Sequence, residues 1–212
     1  GRPEGEHRSA QHEGIPMTST IVYLHGFRSS PQSTKATQLA KAVAALPAKL
    51  RPILHIPELP HRPSQAMDAI SALAASVDPA QLTFVGSSLG GFYATAAAER
   101  FGASAVLINP AVRPWEDLRA HAGKQTNMYT GETFELTDAH FAELRAIAIP
   151  RITRPSRYLL LVRTGDEVLD YRQAVDVYAG AWQCVQGGGD HAFPGFEAQI
   201  PAILRFCALQ RS

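Results

Sequence analysis

Ser88 stands at the centre of Gly86-Ser87-Ser88-Leu89-Gly90. A serine with glycines two positions to either side fits a sharp turn that exposes a hydroxyl, because side chains at those flanking positions would collide across the turn. The residues before it, 82–85, are β-branched and aromatic, and those after it are rich in alanine. A strand, a turn and a helix therefore set Ser88 at the apex, with the free N–H groups of a helix N-terminus beside it. Gly91 lets that helix pack closely on its neighbours. A serine hydroxyl becomes an effective nucleophile when a base takes its proton, a carboxylate orients the base, and N–H donors receive the developing oxyanion. The chemistry of such a set is acyl transfer.

His191 is the candidate base, because it ends the glycine-rich run Gln186-Gly187-Gly188-Gly189-Asp190-His191 that can carry it back over Ser88. Backbone N–H groups of Leu89, just after the nucleophile, and Phe27, in His25-Gly26-Phe27, are the candidate oxyanion donors. Gly26 permits close approach there, and His25 is expected to order the loop through hydrogen bonds. Carboxylates compete for the role of acid within Asp166-Glu167-Val168-Leu169-Asp170, and composition alone does not separate them. Position favours Asp166, which follows a strand and the Thr164-Gly165 turn; Glu167 should point elsewhere. Asp170, with Gln173 three residues on, suits the N-cap of the next helix. The order serine, aspartate, histidine along the chain is that of the α/β-hydrolases.

Other candidates are weaker. Arg113, in Asn109-Pro110-Ala111-Val112-Arg113-Pro114, follows a strand end and is a candidate for organising a loop or contacting a substrate carboxylate. His55, His61, His121 and His140 fall on the wrong strand or in an insertion, and His61 reads as an exposed loop residue, with contact to substrate the weaker alternative. Arg145, Arg151, Arg154 and Arg157 straddle a proline-interrupted connector and read as solvated surface.

Strands are expected at 20–24, 52–56, 82–85, 105–109, 158–162 and 181–185. Helices alternate with them at 35–46, from a Ser64 cap through Met67, Ile70, Leu73 and Val77, from the elbow turn to near Phe101-Gly102, at 171–179 and at 196–209, where Pro201 marks a start or a kink. Such alternation implies an α/β fold: a mostly parallel sheet of about six strands, helices on both faces, and a site at the strand C-termini. His25 to Phe27, Ser88, Asp166 and His191 all follow strand ends. Residues 115–150 interrupt the pattern as a short helical cap, expected as helices at 115–122 and 137–147 around a polar loop at 123–135. So short an insertion suggests a shallow acyl pocket and a preference for short acyl chains.

The 212 residues, 45% hydrophobic with a net charge of +1, suit one domain over 17–212 preceded by a polar tag remnant or disordered extension at 1–16, which includes His7 and His12. The charge balance offers no case for nucleic acid, and no apolar run approaches the ~18 residues of a membrane span. Cys184 and Cys207, the only cysteines, lack metal-ligand spacing and read as free thiols in a reducing cytoplasm.

The blocks YLHGFRSSPQSTKA at 23–36, VGSSLGGFYAT at 85–95, NPAVRP at 109–114, TGDEVLDYRQAV at 164–175 and GGDHAFPGFE at 188–197 together resemble the YqiA-like family of small bacterial esterases within the α/β-hydrolases. The resemblance runs through most of 23–209. It implies an esterase or thioesterase acting on small-molecule substrates, with Ser88, Asp166 and His191 as triad and no metal or organic cofactor. The reading from another class is a binding protein on the same fold, whose triad would be incomplete or blocked.

Overall fold

The computed structural model describes residues 19–209, so the expected extension at 1–16, with His7 and His12, lies outside the described residues. The strands are β1 (Thr20–Leu24), β2 (Ile53–His55), β3 (Leu82–Ser87), β4 (Ser104–Ile108), β5 (Gly123–Thr126), β6 (Thr133–Leu136), β7 (Tyr158–Arg163) and β8 (Trp182–Gln186). The helices are α1 (Thr34–Ala44), α2 (Pro63–Ala74), α3 (Leu89–Phe101), α4 (Pro114–Asp117), α5 (Asp138–Ile147), α6 (Tyr171–Val177) and α7 (Ile200–Leu209). Six strands pair in parallel in the order β2-β1-β3-β4-β7-β8.

Alternation of side chains across the strands builds two apolar layers. Val22, Leu24, Phe84, Leu107, Leu160 and Val162 face α2, α3 and α6. Ile21, Tyr23, Val85, Val106, Ile108 and Leu161 face α1 and α7, which contribute Leu39, Val43, Ile203 and Phe206. Helices thus cover both faces, and every strand C-terminus opens on the same edge of the sheet. Pro201 is the second residue of α7, after a 3₁₀ turn at Phe196–Gln199, and marks the start of the α-helix rather than a kink. No helix among the described residues is long and apolar enough to cross a membrane.

Four expectations are corrected. The polar stretch at 123–135 is no loop: β5 and β6 form an antiparallel hairpin, pairing Gly123 with Leu136 and Thr126 with Thr133. Its turn is built by Asn127, whose side-chain Oδ1 accepts the N–H groups of Tyr129 at 2.9 Å and Thr130 at 3.0 Å, and by Gly131 at φ 75°. The helix expected at 115–122 shortens to α4 and a 3₁₀ turn at Arg119–His121. Ser64 does not cap α2, which begins one residue earlier at Pro63. Its N–H and hydroxyl instead donate to Glu143 Oε2 of α5, at 3.1 and 3.0 Å, so the cap comes from another helix. Of the arginines read as solvated, Arg157 is folded in against Glu99 at 3.4 Å, its side chain only 12% exposed.

The crossing of α3 over β1 generates a prediction. A Cβ on Gly90 would lie 2.0 Å from the Leu24 carbonyl oxygen and 2.7 Å from that of His25, whereas one on Gly187 would meet nothing within 4 Å. Gly90→Ala should therefore destabilise the protein by about 3 kcal/mol or more through forced backbone displacement. Gly187→Ala should change stability by less than about 0.5 kcal/mol. Urea unfolding of the two variants checks the contrast, and equal midpoints would remove the steric argument.

Candidate active site

Ser88 connects β3 to α3 with φ 56° and ψ −121°, a conformation that non-glycine residues seldom adopt. Its backbone is held on every side. Its N–H donates to Ile108 O at 3.0 Å, and its carbonyl accepts from Gly91 at 2.9 Å and Ala111 at 3.0 Å. Gly86 must be small because a Cβ there would stand 2.1 Å from Gly90 O. The side chain of Ser88 is thus aimed off the sheet edge and remains part-exposed.

His191 reaches it from the loop after β8. Its Nε2 lies 3.0 Å from Ser88 Oγ and its Nδ1 2.9 Å from Asp166 Oδ2. With Asp166 ionised, Nδ1 carries the proton and donates to the carboxylate, leaving Nε2 to accept from the serine hydroxyl. The Asp166 side chain is only 2% exposed. Burial pushes its pKa up, but the hydrogen bond from His191 and those from the Leu169 and Val168 N–H groups outweigh this and hold it below the usual carboxylate value. Both N–H bonds go to Oδ1, at 2.9 Å each, which turns Oδ2 toward the imidazole.

The two loops are fastened to each other. Thr164 N–H donates to Gln186 O at 2.9 Å, Gly165 N–H to Gly188 O at 3.0 Å, and Gly188 N–H to Thr164 Oγ1 at 2.9 Å. Glu167, expected to point away, accepts the main-chain N–H of His191 on Oε2 at 3.0 Å. The correction has a plain reason: the His191 loop folds back over the loop after β7, bringing a distant N–H to a side chain that composition could only assign to solvent. Asp170 accepts from the Arg172 N–H at 3.0 Å as the N-cap of α6 and is not near the imidazole bonds.

Asn109 is a site residue that the sequence reading passed over. Buried at 2% exposure and at φ 39°, it ends β4. Its Nδ2 donates to the carbonyls of Asp190 at 3.2 Å and His191 at 3.1 Å, and its Oδ1 accepts from Arg163 N–H at 2.9 Å. One amide ties the ends of β4 and β7 to the histidine loop. The available signal was asparagine before Pro110 at a strand end, since asparagine tolerates left-handed backbone and bonds to nearby main chain.

Gly26 brings the loop after β1 against the elbow: a Cβ there would be 3.3 Å from Ser88 Cβ. Leu89 opens α3, so its N–H has no intrahelical acceptor, and neither it nor the Phe27 N–H is engaged by another residue among the described ones. His25 fixes this loop, with Nδ1 donating to Gly26 O at 3.0 Å and Nε2 accepting the Leu59 N–H at 3.1 Å. Burial lowers its pKa, in keeping with a neutral ring in these two roles. The β5–β6 hairpin packs from the other side: Phe134 meets Phe27 edge-on at 6.0 Å, Asn127 Nδ2 donates to Ser29 O at 2.8 Å and Met128 N–H to Arg28 O at 3.0 Å.

A cavity of about 400 Å³ contains Ser88, His191, Phe27 and Lys35. Arg113 is not brought to it. That side chain is exposed, stands 3.8 Å from Glu116, and borders a separate apolar cavity with Phe92 and Trp115. The turn after β4 sets Arg113 at the start of α4, where it lines that apolar cavity instead of the one holding Ser88.

Solved structures share the architecture. A putative hydrolase from Agrobacterium vitis S4 superposes with a TM-score of 0.74 at 19% identity, over 91% of this chain and 89% of that one. A monoacylglycerol lipase from Paleococcus ferrophilus gives 0.68 at 15% identity, over 91% and 96%. Est1E from Butyrivibrio proteoclasticus, with ferulic acid bound, gives 0.67 at 14% identity, over 94% and 92%. The fold is therefore that of the α/β-hydrolases. The sequence matches the uncharacterised protein family UPF0227 over residues 20–208, and this chain belongs to that family, the YqiA family.

Proposed function

We propose that this chain is a serine esterase that hydrolyses carboxylic esters of small molecules through an acyl-enzyme. The observation that carries the reading is the continuous hydrogen-bonded line from Ser88 Oγ through both ring nitrogens of His191 to Asp166 Oδ2, at 3.0 and 2.9 Å. A monoacylglycerol lipase and Est1E, a protein seen with ferulic acid, share this fold and agree with ester chemistry on it.

In the proposed cycle His191 Nε2 takes the proton of Ser88 as Oγ attacks the ester carbonyl. The carbonyl oxygen becomes an oxyanion facing the Leu89 and Phe27 N–H groups. Collapse expels the alcohol, which leaves with the proton from His191 Nε2. Water then enters, gives a proton to His191 and attacks the acyl carbon, and the second collapse releases the carboxylic acid as His191 Nε2 returns the proton to Ser88 Oγ. Asp166 orients the ring and stabilises the imidazolium throughout without itself taking a proton. A thioester would pass through the same steps with a thiol as leaving group.

A fluorophosphonate probe should label Ser88 alone, and Ser88→Ala should abolish turnover of ester and thioester substrates while the protein stays folded. Labelling of Ser87, or turnover surviving in Ser88→Ala, would defeat the proposal. Asp166→Asn should lower kcat by up to ~10⁴. Asp170→Asn should leave kcat nearly unchanged, since asparagine caps a helix about as well as aspartate. Steady-state kinetics on the two folded variants decide which carboxylate is the acid.

Asp166 also predicts a pH dependence of stability. Its folded pKa is depressed, so the unfolded chain takes up its proton first as pH falls. The stabilisation is present above the ordinary aspartate value of about 4 and is lost as pH drops through the lower folded value. Urea titrations below about pH 4 should show a shallower acid loss of stability in Asp166→Asn than in the parent protein. An equal slope in both would mean that the carboxylate is not held in its charged form.

A further inference from the structure

A second cavity, of about 440 Å³, lies beside the first and shares Gly26, Phe27 and Ser29 with it. It includes Leu89 but neither Ser88 nor His191, and its outer wall is formed by Glu58, His61, Glu132 and Phe134. On the esterase reading, the leaving oxygen must take its proton from His191. The alcohol therefore occupies the cavity that contains His191, and the acyl group extends past the oxyanion loop into this second one.

The choice of ring nitrogen that can donate from His61 in that wall is set by a helix cap. Thr137 and His140 form a capping box at the start of α5, in which His140 Nδ1 accepts the Thr137 N–H at 3.1 Å. A neutral His140 then has its proton on Nε2, which lies 2.9 Å from His61 Nδ1 and donates to it. The opposite arrangement would set a His140 Nδ1–H against the Thr137 N–H. His61 is left with an Nε2–H, and no acceptor engages it among the described residues. Its ring is held flat on Phe134, centroids 4.6 Å apart and planes at 11°. The neighbouring chain is clamped to α5 by Arg62 and Ser64 on Glu143. Burial, with His61 and Arg62 nearby, lowers the pKa of His140 and keeps that ring neutral. Arg28 Nε, which unlike His61 is buried, is a further donor in the same cavity without a protein partner.

We propose that His61 is a specificity-determining donor, set by the His140 relay, that selects esters whose acyl group carries a neutral oxygen acceptor such as an ether, hydroxyl or amide carbonyl. The Glu58 and Glu132 carboxylates on the same wall disfavour a free carboxylate there through like-charge repulsion.

The test compares p-nitrophenyl 3-methoxypropanoate and 4-methoxybutanoate with the pentanoate and hexanoate of equal length, each rate divided by its rate with hydroxide. The parent protein should favour at least one methoxy ester in kcat/KM by about threefold, as one hydrogen bond from an exposed donor that exchanges against water allows. His61→Phe, which keeps a ring to stack on Phe134, should abolish that preference and alter alkyl-ester turnover less than about twofold. His61→Gln, which keeps a donor, should retain part of it. Equal losses on both series, or no preference in the parent protein, overturn the proposal while Ser88-dependent pentanoate hydrolysis leaves the esterase reading standing. Absence of hydrolysis in every series overturns both.

Discussion

The backbone contact where α3 crosses β1 leaves no room for a side chain, and the rest of the site depends on it. A Cβ on Gly90 would sit inside the Leu24 carbonyl and one on Gly86 inside that of Gly90. With that room excluded, the chain can reverse between β3 and α3 in a single residue, and that residue must accept a positive φ. Backbone strain of this kind costs about 1–3 kcal/mol and persists only where the surroundings over-determine it. Here they do: the N–H and C=O of Ser88 are bonded to Ile108 of β4, Gly91 of α3 and Ala111 in the turn after β4, all of them buried. The hydroxyl takes no part in holding the turn and faces His191 instead.

The same logic extends to its partners. Loops are ordinarily the mobile part of an α/β protein, yet His191 must be held to within a fraction of an ångström of both Ser88 and Asp166. Cross-ties between loops provide that rigidity. Gly165 allows the chain after β7 to touch the chain after β8, since a Cβ there would be 2.3 Å from Gly189 O. Asn109 adds a third strand end to the junction, and Glu167 holds the His191 main chain from the opposite direction. The imidazole is thus located by bonds to its own backbone as well as by the carboxylate that faces its ring.

Much of this was legible before any coordinates, and the division follows the range of the interaction concerned. Glycine spacing around Ser88, the Asp170 cap, the Pro201 helix start and the alternation of strand and helix are all local rules, so a single stretch of residues suffices to read them. Glu143 at the start of α2, Glu167 on His191 and Asn109 between two loops depend on partners 24 to 82 residues away. Nothing local marks them. The β5–β6 hairpin escaped for another reason: its strands are four residues each and mostly exposed, with Phe134 and Leu136 as their inward apolar residues. So short an alternation is indistinguishable from a polar loop by periodicity.

That hairpin also changes what the insertion does. Arg28, next to the proposed oxyanion donor Phe27, has φ 54°. A bulky residue in left-handed backbone is unfavourable unless its neighbours hold it. The hairpin does so by main-chain and side-chain bonds: Met128 N–H to Arg28 O, Arg28 Nη1 to Gln125 Oε1 at 3.3 Å, and Asn127 to Ser29 O. Phe134 meanwhile packs between Phe27 and His61, so one side chain braces the oxyanion loop and the wall of the second cavity together. A segment serving only to cover a pocket would not need bonds to the main chain at that loop. The insertion is better understood as part of the frame that directs the Phe27 N–H, with the second cavity formed in the angle between them.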